Sequence, residues 1–299
     1  MNDAERRVWA RLPHGTRESL AALSGSDLRT LLLDVARTRA SRVSPADLLR
    51  RWREDRFVRP SPSDPRALAA LEARMWSLLP TDVEGVELSP VAPLGTCAAV
   101  TPQSQDRIVS TVRTTEVVSD STNALAVEAA DRRLRQPESG EVHLAACHRM
   151  LRAQRFPAGF GSHFRLFALV SSARDTGSGA TQARLLLRHL GYWRRVLPPE
   201  VRSELLYTTF DPVLRERVAD TVAPAVEIVE QPDRKPGYYV GAAIRITAGD
   251  GEIGDGGFTT WTAQLMGNAK EICLTSCIST ERLAAALSSS KPSGQKTRF

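Results

Sequence analysis

Residues 151–167 read Leu-Arg-Ala-Gln-Arg-Phe-Pro-Ala-Gly-Phe-Gly-Ser-His-Phe-Arg-Leu-Phe. No other stretch constrains the fold as much. An apolar run ends at Arg152, a Pro/Gly-rich turn follows, and the chain returns with His163 and Phe167 four residues apart. Proline and glycine punctuate regular structure at such a turn, so the two flanks are expected to pair as an antiparallel hairpin. A hairpin of this kind sets two basic side chains and one aromatic face beside a single pocket. Cations suit phosphates and carboxylates through charge-assisted hydrogen bonds, and an aromatic ring suits a purine base. Arg-turn-aromatic is also an ordinary ligand-free hairpin, so the rest of the chain decides between the two.

Upstream, residues 1–60 read as a helical extension. Gly25–Thr38 and Ser44–Phe57 carry apolar residues at three- and four-residue spacing, with Ser26 and Ser44 placed to cap. Three prolines between Arg59 and Pro65 then end the pattern, because proline cannot continue a helix. Arg66–Leu79 is amphipathic and stops at Pro80. Beyond it come short β-rich runs at Val86–Pro93, Arg107–Val118, Val142–Leu151 and Phe164–Ser171, with a helix over Ser121–Arg135. Residues 180–222 read as helix, where Leu185, Leu186, Leu187, Leu190, Tyr192 and Trp193 form a core stripe. Strands at Ala225–Glu230, Tyr238–Ala248 and Glu271–Ile278 follow, with a helix over Thr259–Met266. Strand runs with interspersed helices predict an α+β domain on an antiparallel sheet, spanning 66–286. A polar tail, 287–299, is expected to be disordered.

Composition excludes some functions. No run of eighteen uncharged apolar residues occurs and the N-terminus lacks a signal-peptide core, so a cytoplasmic protein is expected. Cys97, Cys147, Cys273 and Cys277 are too scattered for a disulfide scaffold and have no histidine partner for zinc, so reduced buried thiols are expected. The net charge of +6 could suit a nucleic acid, but 36 of the 40 basic residues are arginines spread along the chain. That leaves an RNA-binding module as a minor reading.

The hairpin resembles motif 2 of the class II aminoacyl-tRNA synthetases, an Arg-x-Glu, a loop, and His or Arg-x-x-x-Phe. Further segments follow in the same order, most similar to the histidyl-type branch. Asp120-Ser-Thr122 resembles the element that binds the substrate α-amino group, although Asp120 also suits a helix N-cap, and the two roles can coexist. Arg234-Lys-Pro-Gly-Tyr-Tyr-Val-Gly241 resembles the Arg-Gly-Leu-Asp-Tyr-Tyr-Thr-Gly signature. Gly254-Asp-Gly-Gly257 resembles the glycine turn before a helix, and is equally a simple turn. Ile272–Leu283, ending Ser-Thr-Glu-Arg-Leu, resembles motif 3. Arg66–Leu94 stands where the dimer-forming motif 1 would lie.

The resemblance implies a class II synthetase-like α+β fold that binds ATP and Mg²⁺ and adenylates a carboxylate, as a homodimer. Arg152 would bridge substrate carboxylate and α-phosphate, and Arg234 would stabilise the transition state. Gln154 would accept from adenine, His163 and Arg282 would hold the outer phosphates, and Phe167 would stack on the base. Asp120, Thr122, Tyr238 and Tyr239 would bind the amino acid. Departures narrow this. Gln154 replaces a glutamate, Gly237 an aspartate, Cys277 and Ser279 two glycines, and Leu169 and Ala173 the polar groups that read a histidine side chain. Histidine is therefore not the expected substrate. Only 17 residues follow Arg282, too few for an anticodon-binding domain, so tRNA is not the expected acceptor. Two readings result. One is activation of an amino or small carboxylic acid for a small molecule or carrier protein. The other is a silent regulatory or ligand-binding paralogue resembling the ATP phosphoribosyltransferase regulatory subunit.

Overall fold

The computed structural model describes residues 3–101, 104–157 and 161–290. The chain opens with four helices, α1 (Asp3–Trp9), α2 (Thr16–Ala22), α3 (Gly25–Ala40) and α4 (Pro45–Glu54), none of which buries a residue. Ser44 caps α4 as its sequence suggested, accepting from Asp47 N at 3.1 Å. The cap of α3 is Ser24, bonded to Asp27 N at 3.1 Å, and Ser26 sits inside the first turn. After the proline segment, α5 (Pro65–Ser77) is capped by Asp64 and buries Leu68, Leu71 and Met75.

The rest of the chain builds an eight-stranded sheet. In chain order its elements are β1 (Glu84–Gly85), β2 (Val91–Pro93), α6 (Thr96–Val100), β3 (Thr115–Val117), α7 (Ser121–Arg135), β4 (Glu141–Leu151), β5 (His163–Arg174), α8 (Ala180–Val196), β6 (Ser203–Thr209), α9 (Pro212–Arg217), β7 (Val229–Glu230), β8 (Val240–Ala248), β9 (Gly251–Thr259), α10 (Trp261–Met266), β10 (Glu271–Ser279) and α11 (Thr280–Ser290). The sheet order is β1-β4-β5-β10-β9-β8-β6-β7, and β2 and β3 form a separate ladder. The six inner strands pair antiparallel. The two-residue edge strands β1 and β7 pair parallel. This is the expected α+β architecture.

Several strands differ from the sequence reading: the run expected at Arg107–Val118 is strand only in β3, after a 3-10 turn over Gln105–Arg107, and that at Ala225–Glu230 only in β7. β6 lies within 180–222, where helix was expected; Leu197-Pro-Pro ends α8, and Leu205 to Thr209 is rich in residues that suit a pleated surface. β9 replaces the expected glycine turn. A Cβ at Gly254 would sit 2.1 Å from Cys277 O and one at Gly256 2.4 Å from Thr275 O, so these glycines let β9 lie close to β10. At the C-terminus, α11 continues to Ser290, so residues 287–290 of the expected tail are helical; 291–299 lie outside the described residues.

Helices cover both sheet faces. On one, Leu185, Leu186, Leu190, Tyr192 and Trp193 of α8 pack with Phe167, Leu169, Leu274 and Ile278. On the other, Leu125, Ala126 and Ala129 of α7 and Trp261 of α10 pack with Leu144, Ala146, Ala168, Val170 and Cys273. Burial keeps the thiols protonated, pushing Cys147 up to about 12 and Cys273 to about 11.

Beneath α8 runs a buried polar chain. Trp193 Nε1 donates to Ser276 Oγ (2.8 Å), which meets His189 Nδ1 (2.8 Å). His189 Nε2 meets Ser171 Oγ (2.9 Å), Ser171 meets His143 Nδ1 (2.8 Å), and His143 Nε2 lies 3.1 Å from Glu141. Indole N–H can only donate and a carboxylate can only accept. Those ends set one direction, Trp193 to Ser276 to His189 to Ser171 to His143 to Glu141, with both imidazoles neutral. Burial, with help from nearby cations, lowers the pKa of both, and that of His189 far below its ordinary value.

Candidate functional site

Arg152 stands just past the end of β4, where its backbone N–H donates to Ser162 O across the hairpin (2.8 Å). Its side chain crosses to the start of α7. Nε donates to Ser119 O (2.8 Å), Nη2 reaches Asp120 Oδ2 (3.2 Å), and the guanidinium lies 5.2 Å over the Phe164 ring. Asp120 is the N-cap of α7. Its Oδ1 accepts from Thr122 N (2.9 Å) and Thr122 Oγ1 (2.7 Å), leaving Oδ2 for Arg152. One carboxylate thus caps a helix and presents charge to the cleft at the same time.

The second half of the cleft comes from the loop before β8 and from β9. Tyr238 hydroxyl donates to Tyr239 hydroxyl (3.0 Å), which donates to Asp255 Oδ1 (2.7 Å). Arg234 Nη2 reaches Asp255 Oδ2 (3.2 Å), and Nη1 donates to Ile244 O (2.8 Å). The Tyr238 ring stacks on Trp261 with centroids 6.0 Å apart. Asp255 pairs in register with Cys277 of β10.

Electrostatics join the halves. Burial and then the Asp120 and Asp255 carboxylates push the Tyr238 hydroxyl upward. The Cys277 thiol is driven well above its usual range by burial first, then by the same two carboxylates, while Arg152 opposes. Burial also raises Asp255, against the hydrogen bond from Tyr239 and the charge of Arg234. The result is a cleft with two carboxylates, two guanidiniums, a protonated thiol and an aromatic wall. Arg234 also lines a broad depression of about 650 Å³ with Glu230–Asp233, Lys235 and Arg245. That depression includes none of Asp120, Arg152, Tyr238 or Tyr239, so its solvated charges are separate from the cleft chemistry.

The structure groups Asp120, Thr122, Arg152, Arg234, Tyr238 and Tyr239, and separates the others. Leu151 pairs with His163, and Cys147 with Phe167. Strand side chains alternate faces, so His163 and Phe167 project from the face opposite Arg152. Phe167 is 0 % exposed and packs on Trp76, Tyr192 and Trp193 with centroids 4.6, 5.9 and 6.3 Å away, so it cannot stack on a base. Phe164 occupies the position expected of Phe167. His163 donates through Nε2 to the Arg59 carbonyl and accepts at Nδ1 from Arg149 (2.9 Å). Gln154 offers its carbonyl to Arg56 Nη1 (2.8 Å). Arg56 also bonds Ser162 Oγ (2.7 Å) and Ala153 O, and Ser61 Oγ donates to Glu281 (3.0 Å). The proline segment therefore straps the outer side of the hairpin. Arg282 is exposed on α11 and donates to Glu252 O (2.9 Å).

Sequence reasoning missed Phe164, Asp255 and Trp261. Even spacing along β5 carries the first, since Phe164 shares its face with Leu166 and Ala168. Asp255 was legible as the one side chain within Gly254-Asp-Gly-Gly257.

Comparison with solved structures finds the same fold in class II aminoacyl-tRNA synthetases. Apo histidyl-tRNA synthetase of S. aureus aligns at TM-score 0.56 and 13% identity, over 75% of this chain and 65% of that one. An ATP phosphoribosyltransferase regulatory subunit/histidyl-tRNA synthetase from Bacillus halodurans aligns at 0.60 and 10% identity, over 76% and 82%. Pyrrolysyl-tRNA synthetase of Desulfitobacterium hafniense aligns at 0.51 and 12% identity, over 81% and 74%. The chain thus spans less than two-thirds of the S. aureus enzyme. The sequence matches no family model and no curated protein. The chain shares the fold of these synthetase structures. Among the described residues no helix is long and apolar enough to cross a membrane.

Proposed function

We propose that the cleft binds an amino acid and activates its carboxylate with ATP for transfer to an acceptor other than tRNA. The observation that carries this reading is Arg152 between the Asp120 carboxylate and the Phe164 ring. A substrate α-ammonium can replace Arg152 on Asp120 Oδ2, with Thr122 beside it. Arg152 is then free to neutralise the substrate carboxylate and the ATP α-phosphate together. The carboxylate oxygen attacks the α-phosphorus, the bond to the bridging oxygen breaks, and pyrophosphate leaves with the electron pair. An acceptor nucleophile later takes the acyl group, and AMP leaves. Positioning and charge neutralisation supply such a rate, with no covalent step on the protein.

The residues fit ATP in part. Phe164 offers a ring beside a guanidinium, as a base and its α-phosphate require. Arg234 is tied to Asp255 and Ile244 and holds the tyrosine wall in place. Among the described residues no three His, Cys, Asp or Glu group as a metal site, so Mg²⁺ would enter with the phosphates.

A second reading is a regulatory paralogue that binds an amino acid without activating it. The observation favouring it is that His163 and Phe167 lie outside the cleft, which thins the nucleotide half while leaving the amino-acid half whole. ATP–pyrophosphate exchange across an amino-acid panel decides. Exchange that Arg152→Ala reduces at least about 100-fold supports activation. No exchange, with an amino acid still raising the melting temperature, supports the regulatory reading.

A further inference from the structure

We infer that the amino acid taken by this cleft ends its side chain in a cation, an ammonium or guanidinium, held by Asp255 against the rings of Tyr238 and Tyr239. This rests on the amino-acid-binding reading and names the substrate class of that site.

The placement of Asp255 is the first ground. Gly254, Gly256 and Gly257 surround it, and a Cβ at any of the three would meet β10 or Tyr239 at 2.1–2.5 Å. Alternation along β9 turns Gly254 and Gly256 to the opposite face, against Ile278 and Ser276. The next position on the Asp255 side is Gly257, so no β9 side chain follows the carboxylate toward Tyr239. The carboxylate's remaining capacity is the second ground. Oδ1 accepts one bond, from Tyr239, and Oδ2 one, from Arg234. Each carboxylate oxygen has two lone pairs, so one on each is left for a ligand. The Asp255 side chain keeps 36 % exposure, and Tyr238 beside it the same.

The wall is the third ground. Tyr238 and Tyr239 rings lie 4.4 Å apart, and Tyr238 stacks on Trp261. Ring faces attract ammonium and guanidinium groups, and more so when water is excluded. Within the first turn of α7, next to Asp120, Asn123 is 2 % exposed, and neither of its amide atoms has a partner. Such polar capacity is suited to a polar ligand or its water.

The competing side chains fare worse. An apolar chain would cover the carboxylate with methylenes and take water from its remaining lone pairs, leaving only the bonds from Arg234 and Tyr239. An acidic chain would face Asp255 directly and Asp120 nearby. A cation relieves the burial that already raises Asp255.

The test is isothermal titration of the full chain with lysine, ornithine, arginine, norleucine and glutamate, without ATP, for wild type and Asp255→Asn. At least one of lysine, ornithine or arginine is expected to bind wild type tenfold or more tighter than norleucine, with glutamate weakest. Asp255→Asn should bring that ratio near one while leaving norleucine within about twofold. Tyr238→Leu, which keeps the carboxylate, should weaken the cationic ligand several-fold. Norleucine equal to or tighter than every cationic ligand on wild type overturns the inference, whatever the variants do. A preference unchanged in Asp255→Asn, or no binding by any of the five, also overturns it. Pyrophosphate exchange is scored separately. Cationic preference without exchange removes the activation reading and leaves this inference standing.

Discussion

Lowering the pH from 7 to 5 should destabilise this protein through one buried ring. His189 is enclosed between Ser171 and Ser276, and burial holds its folded pKa well below the ordinary value. In the unfolded chain the ring titrates near 6.5. Above that pH both states are neutral and the stability is fully present. As pH falls below 6.5 the unfolded state gains a proton that the folded state refuses, so stability falls until the lowered folded value is reached. For a ring neutral throughout in the folded state, the loss between pH 7 and 5 is about 2 kcal/mol. His143, also lowered, adds to the loss in the same direction. Protonating His189 would also give Ser276 two donors, from Trp193 and His189, and protonating His143 would give Ser171 two, leaving the hydroxyl without an acceptor for its own hydrogen in either case. The assay is urea unfolding at pH 7 and pH 5, read by tryptophan fluorescence, since Trp193 ends the chain. His189→Gln removes the titrating ring, so the pH-dependent loss should shrink by about 2 kcal/mol relative to wild type. Equal pH dependence in the two proteins would refute the neutral-chain argument.

Two further perturbations separate packing from binding. Phe167→Ala should destabilise by about 3–5 kcal/mol in thermal or urea unfolding, whereas Phe164→Leu should cost far less and instead raise the KM for ATP in pyrophosphate exchange. The reverse pattern would put Phe167 back in the cleft. Arg133 and Glu271, with side chains 5 % and 3 % exposed, pair at 2.8 Å. Glu271→Leu leaves a buried guanidinium alone and should cost about 3–5 kcal/mol in urea unfolding, while the double change Arg133→Met/Glu271→Leu should recover much of it.

What could be read in advance follows from where the information is local. Helix α7 was legible in full because Asp120 marks its start and its apolar spacing continues to Arg135. The hairpin was legible as a hairpin, because its turn is rich in proline and glycine. Which ring it presents was not. Hairpin register is set by how the turn closes, and one residue of register exchanges the two faces. The spacing His163-x-x-x-Phe167 therefore survived as a pattern while Phe164 took the place beside Arg152. β9 was hidden for a different reason. Its glycines carry little strand preference of their own, and the close approach to β10 that requires them is a tertiary fact. Trp261 reads as ordinary helix core, and only the stack with Tyr238 places it at the cleft.

The strap over the hairpin changes what residues 56–61 are mechanically. Arg56 grips two carbonyls and a hydroxyl of the segment that follows Arg152, and the Arg59 carbonyl holds His163. Ser61 and Arg149 share Glu281 at the start of α11. The segment that joins the four N-terminal helices to the domain is thereby tied to the hairpin and to α11 through a handful of polar contacts. The hairpin, the segment of residues 56–61 and the start of α11 therefore form one polar junction, and a displacement of that segment would be felt first at the residues that follow Arg152.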